Sequence, residues 1–133
     1  MARPVSDIVK KEIVDFKDAV ARLRSGALDD LEFKKIRLLY GIYGQKQKSP
    51  EGVQMIRVKI PGGIMNAEQL RALSEVAEKY STGIGHITTR QNFQFHFIKL
   101  DDVPAILEKL DTVGLTSREG CGNSWRNIVG SPL

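Results

Sequence analysis

VQMIRVKIPGG at residues 53–63 and IGHITTRQNFQFHFIKL at residues 84–100 decide the fold. In the first, Val, Met and Ile alternate with polar groups from Val53 to Ile60, which is the period of a half-buried strand. Pro61-Gly62-Gly63 closes it in a turn. In the second, residues 84–90 read as a strand, Gln91-Asn92 as a tight turn and residues 93–100 as a further strand. The two therefore form a hairpin. Between the two stretches the period changes to that of a helix. Asn66 is its cap, Leu70, Leu73, Val76 and Ala77 form its inner face, and the helix runs to Tyr80 before Gly83 stops it.

After the hairpin, Asp101 or Asp102 opens a second helix. Pro104 is tolerated in its first turn, Ile106, Leu107 and Leu110 face inward, and Gly114 ends it. Residues 115–118 read as a short fourth strand and residues 119–133 as loop. The order strand, helix, strand, strand, helix, strand is the split βαβ plan: an α+β, ferredoxin-like fold with both helices on one face of an antiparallel sheet. Upstream, residues 6–24 read as a helix capped by Ser6, with Ile8, Ile13, Phe16, Val20 and Leu23 as its stripe. Residues 29–40 read as another, opened by Asp29 or Asp30, with Ile36, Leu39 and Tyr40 apolar. Residues 41–52 read as a loop, broken by Gly41, Gly44 and Pro50. The chain thus divides into helices and a connecting loop at 1–50 and a ferredoxin-like unit at 51–133, and the two leading helices are expected to pack away from the other pair.

The composition narrows the class. The chain has 133 residues, 41% hydrophobic and 27% charged, with a net charge of +4. That is one ordinary globular domain with a modest leaning towards anionic partners. No apolar run reaches membrane-spanning length, and residues 1–11 contain no secretory apolar core. Cys121 is the only cysteine, so neither an internal disulfide nor a Cys-based zinc site is available. A reducing cytoplasm is the expected compartment.

Side chains alternate across a strand, so parity sorts the sheet into two faces. Ile56, Val58, Ile60, Ile87, Phe93, Phe95 and Phe97 are expected under the helices. The open face then carries Arg57, Lys59, His86, Thr88, Arg90, Gln94 and His96. No Asp or Glu occurs on any of the three strands. Fixed cations, imidazoles and neutral donors without a carboxylate suit a ligand bearing several carboxylates or phosphates, which Arg can grip with two hydrogen bonds at once. A solvated sheet face is the competing reading. An RNA-recognition module would need aromatics on that face, where parity places none. A ligand-free assembly domain is a further alternative.

Three segments, in order, resemble the sirohaem-dependent nitrite and sulfite reductases. Residues 55–63 are similar to that family's strand ending in a Pro-Gly-Gly or Pro-Asn-Gly turn. Residues 88–96 resemble its Thr-x-Arg-Gln-x-aromatic-Gln segment. Residues 126–132, RNIVGSP, resemble its Arg-Asn-Val-x-Gly-x-Pro run. Residues 40–47 look like the lead-in to the same half-domain. In some family members Arg stands in place of Lys59, so the resemblance leaves sulfite or nitrite open as the substrate.

The resemblance implies an N-terminal half-domain of an oxidoreductase that reduces its substrate by six electrons, at sirohaem coupled to a [4Fe-4S] cluster and fed by an electron donor. By position, Lys59, Arg90 and Arg126 would pair with anions as the catalytic cations. Arg57, Lys59, His86, Thr88, Arg90, Gln94, His96, Arg126 and Asn127 would hold the cofactor. No metal ligand is expected here, because a cluster needs about four cysteines. The chain is therefore expected to be part of a longer enzyme, inactive and without cofactor by itself, and to self-associate as a dimer. Nucleic acid and membrane are not expected partners.

Overall fold

The computed structural model describes residues 3–45, 52–120, 125, 127–131 and 133. Two helices come first, α1 (Asp7–Arg24) and α2 (Asp30–Leu39), followed by β1 (Ile42–Gly44) and β2 (Val53–Val58). After a single 3-10 turn at Pro61–Gly63 come α3 (Ala67–Tyr80), β3 (His86–Ile87), β4 (Phe93–Lys99), a second 3-10 turn and α4 (Val103–Thr112). The four strands form one antiparallel sheet in the order β1-β2-β4-β3, so the fold is α+β as the alternation requires.

Caps fix the helix starts. The Ser6 hydroxyl accepts from the Val9 amide at the head of α1. Asp29 with Glu32 and Asn66 with Gln69 each form a reciprocal capping box at α2 and α3, which satisfies amides that no helical carbonyl can reach. Pro104 sits in the first turn of α4, where its missing N–H costs nothing.

One buried cluster joins all four helices to one side of the sheet. Ile56, Val58, Ile60, Phe95 and Ile98 meet Leu73 and Val76 of α3, and Ile106 and Leu110 of α4. Phe16 of α1 and Phe33 of α2, both fully buried, belong to the same cluster. The leading helices thus pack beside the other pair instead of apart from it, because α1 lies against α4. Exposed Ile8, Leu39 and Leu70 fall outside the stripes expected for them, and Phe33 is the anchor of α2.

Four further differences have local causes. Residues 42–44, expected as loop, form edge strand β1, whose Tyr43 pairs with Met55. Gly41 (φ +73°) allows this. A Cβ there would lie 2.1 Å from the Ser117 carbonyl oxygen, so the chain can close against β2 only without a side chain. The expected strand at 115–118 reduces to one bridge, Lys59 with Thr116, since β1 occupies that edge. The strand at 84–90 shortens to two residues and leaves Ile87 71% exposed. Phe97 (φ +59°) is the extra residue of a β-bulge: Met55 faces both His96 and Phe97, which turns Phe97 outward and returns Ile98 to the core.

Candidate functional site: a basic, acid-free sheet face

The face away from the helices is built by register. Arg57 pairs with Gln94, and Gln94 with His86. These three side chains therefore form a row across β2, β4 and β3. The Gln94 amide, oriented by its neighbours, accepts from Arg57 Nε at 3.1 Å and Nη2 at 2.8 Å and donates to His86 Nδ1 at 3.1 Å. The Arg57 guanidinium also lies 5.9 Å from the centre of the Tyr43 ring, a favourable cation–π placement. Lys59, two residues on from Arg57 and just past the end of β2, is half-buried.

His96 continues the network. Its ring stacks on His86 with centroids 5.6 Å apart, and its Nε2 lies 3.4 Å from His86 Nδ1. Gln45 holds the other side: its Oε1 accepts from the bulge amide of Phe97 at 2.8 Å, and its Nε2 lies 2.7 Å from His96 Nδ1. With its oxygen engaged by Phe97, Gln45 presents N–H to His96, so Nδ1 is an acceptor and the imidazole is neutral with its proton on Nε2. Burial, reinforced by the neighbouring His86, lowers the pKa of His96 below the ordinary imidazole value.

Thr88 and Arg90 lie beyond β3 in the turn leading to β4. The Thr88 hydroxyl donates to Asn92 Oδ1 and accepts from the Arg90 amide, so it shapes the turn. Arg90 is exposed. Gln91 holds φ +60°, an unusual conformation for a residue other than Gly. Its side chain bonds both the N–H and the C=O of Gly130, at 3.0 and 2.9 Å. Asn127 donates to the carbonyls of Ile60 (3.0 Å) and Arg90 (2.9 Å), and the Gly62 amide donates to the Ile128 carbonyl. The Pro-Gly-Gly turn, the Arg-Gln turn and the run after residue 126 thus meet at one corner, beside a cleft of about 430 Å³ lined by Ile60, Gly63, Ile87, Gln91 and Phe93 among others. Arg126 and Cys121 lie outside the described residues.

The structure therefore joins Arg57, His86, Gln94 and His96 directly, places Lys59 beside them, and sets Thr88, Arg90 and Asn127 at the adjoining corner. Reading the sequence missed Gln45, Tyr43 and Gln91. Gln91 stood inside the segment with the resemblance, and its turn position was the available signal. Among the described residues, no group of three or more His, Cys, Asp or Glu side chains is placed to hold a metal, and no helix is long and apolar enough to cross a membrane. A larger cleft of about 640 Å³ lies on the helix side between α1 and the start of α4, lined by Phe16, Lys17, Val20 and Pro104 among others. It opens on the helix side of the sheet, although Leu100, Asp101 and Pro104 of its lining directly follow β4, and the Arg24–Asp101 ion pair lies in its wall.

Comparison with known proteins identifies relatives of this chain. The family described as nitrite/sulfite reductase ferredoxin-like half domain matches residues 45–113. A ferredoxin–nitrite reductase of Leptolyngbya laminosa is 37% identical over 126 residues, covering 94% of this chain and 24% of the relative. A sulfite reductase [ferredoxin] of Mycobacterium tuberculosis is 33% identical over 108 residues, covering 71% of this chain and 20% of the relative. The solved structure of Mycobacterium tuberculosis NirA protein superposes with a TM-score of 0.75 at 27% identity, over 98% of this chain and 28% of that one. The chain thus spans about a quarter or less of the length of these curated relatives.

Proposed function

The chain belongs to the nitrite/sulfite reductase family through its ferredoxin-like half domain, and from that premise we propose that it supplies the basic wall of a sirohaem and oxyanion site in a nitrite or sulfite reductase. The observation that carries the reading is the Arg57–Gln94–His86 row on a sheet face without a carboxylate.

The donor set fits a polycarboxylate tetrapyrrole. Arg57 is held at fixed orientation by Gln94 and Tyr43, so little rotamer freedom remains to be lost when it grips a carboxylate. Lys59 has no ion-pair partner among the described residues. Gln94 and His86 offer hydrogen bonds, and neutral His96 adds no charge to be desolvated. Arg57, His86, Gln94 and His96 would face the macrocycle and its acids. Lys59, Arg90 and Arg126 would draw in nitrite or sulfite and stabilise negative charge on its departing oxygens. Thr88 and Asn127 shape the corner that carries Arg90. When bound, sirohaem with a [4Fe-4S] cluster would supply the six electrons; the cluster's cysteines are assigned to other parts of the enzyme, along with the surface that meets the electron donor.

Octacarboxylate uroporphyrin is a direct probe of the wall. The chain is expected to quench its fluorescence in a saturable, salt-sensitive way, and Arg90→Ala to weaken binding by about tenfold while leaving the melting temperature within about 2 °C. That factor is set below the roughly 2–5 kcal/mol seen for fully buried charge pairs, because Arg90 faces water in the isolated chain. Equal affinity in both proteins would remove Arg90 from the site.

A further inference from the structure

The corner where the three segments meet holds one amide whose hydrogens are both engaged. Asn127 Nδ2 donates to the Ile60 carbonyl at the head of the Pro61–Gly63 turn and to the Arg90 carbonyl in the turn before β4. The two acceptors are 30 positions apart in sequence and belong to two different turns. Gln91, the next residue, is held at φ +60° while its amide closes a two-bond ring with the Gly130 backbone. A conformation of that kind persists only where its surroundings enforce it. Gly63 (φ +69°) lies opposite, where a Cβ would stand only 3.0 Å from the Gln91 Cβ, so both its backbone conformation and the close approach favour glycine. Without these bonds, the hydrogen bonds that hold the turn, among the described residues, are those linking Thr88, Arg90, Gln91 and Asn92 to one another.

We propose that Asn127 is a positioning residue for Arg90: by clamping the Arg90 and Ile60 carbonyls together, it fixes the backbone from which the guanidinium reaches the anion. Gln91 locks the same turn through Gly130. This rests on the reading of Arg90 as an anion-pairing cation, and it shifts Asn127 from contacting the cofactor to acting through another residue. An Asn side chain has no charge to offer a carboxylate. Here both of its donor hydrogens are already committed to backbone oxygens.

The test is a double-mutant cycle on the 133-residue chain with uroporphyrin as probe, comparing the native protein, Arg90→Ala, Asn127→Asp and the double variant. Asp keeps the size of Asn but sets an acceptor against two carbonyls. Asn127→Asp alone is expected to weaken binding about as much as Arg90→Ala, by roughly tenfold, and to add nothing in the Arg90→Ala background, as coupled residues behave. Amide hydrogen exchange, read without any ligand, should quicken at Gln91 and Thr88 in Asn127→Asp while α3 and β4 keep their protection. Additive losses in the cycle, or unchanged exchange in the turn, would overturn the positioning role even if Arg90 proves essential. If Arg90→Ala binds as well as the native chain, the underlying anion site fails, and the positioning role falls with it. If Asn127→Asp does not fold, Gln91→Glu, which loses the donor to the Gly130 carbonyl, takes its place with the same two readouts. Coupling to Arg90 with faster exchange in the turn then supports the clamp, and additivity or unchanged exchange overturns it.

Discussion

His96 shows how a single side chain can be read twice. Its place on the open face follows from alternation along β4, but its neutral state follows from Gln45, 51 positions away, whose amide is pinned by the Phe97 N–H. No spacing rule connects those residues, so the network could not be read before folding. The same holds for Gly41, which looked like a loop breaker and instead admits the Ser117 carbonyl. The lowered pKa of His96 has a signed consequence. The folded chain binds that proton less readily than the unfolded chain, so the contribution is complete above the ordinary imidazole value of about 6.5. It is lost as pH falls from there towards the lower folded pKa. In a proton NMR titration His96 should turn over below pH 6.5, and Gln45→Ala should bring its midpoint closer to the ordinary value. A midpoint above 6.5 in the native chain would contradict the acceptor role of Nδ1.

At the scale of elements, α3 was legible to the residue and β2 to within two residues at its end, since alternation, a Pro-Gly-Gly stop and the Asn66 cap agreed. The strand β4 was legible only as far as Phe95. Parity placed Phe97 inside; the bulge makes it the surplus residue, leaves it 42% exposed and gives its inward place to Ile98. A bulge leaves no periodic mark, because one inserted residue only restarts the alternation. β1 was missed because three residues are too few to show a period. If Phe97 is truly surplus, its deletion should produce a regular strand with His96 still outward and Ile98 still inward. The deletion variant is expected to unfold in one cooperative thermal transition, with β-sheet circular dichroism retained and the Gln45–His96 hydrogen bond broken. Loss of cooperative unfolding would mean that the bulge is required for the sheet to form.

For the whole molecule, layering follows from the order of elements, and the basic face follows from layering. Four helices cover one side of the sheet, so the other must meet water or a ligand. The charge on that face also bears on association. Arg57 and Lys59 would repel their own copies in a face-to-face dimer, whereas β3 offers an edge flanked by exposed Ile84 and Ile87, each 71% accessible. The chain is therefore expected to self-associate edge to edge, with a mass by light scattering that rises with concentration and changes little between low and high salt. A strong gain with salt would indicate face-to-face pairing instead, and a monomer at every concentration would exclude both. The most direct test of the basic wall is to locate polyanion binding on the folded chain by following backbone amides and arginine Nε–H groups by NMR as uroporphyrin is added. Shifts concentrated at Arg57, Lys59, His86, Arg90, Gln94 and His96, with the helix-side cleft around Phe16 and Val20 unmoved, are the predicted result. Shifts confined to that helix-side cleft, or spread evenly over surface lysines, would contradict the account.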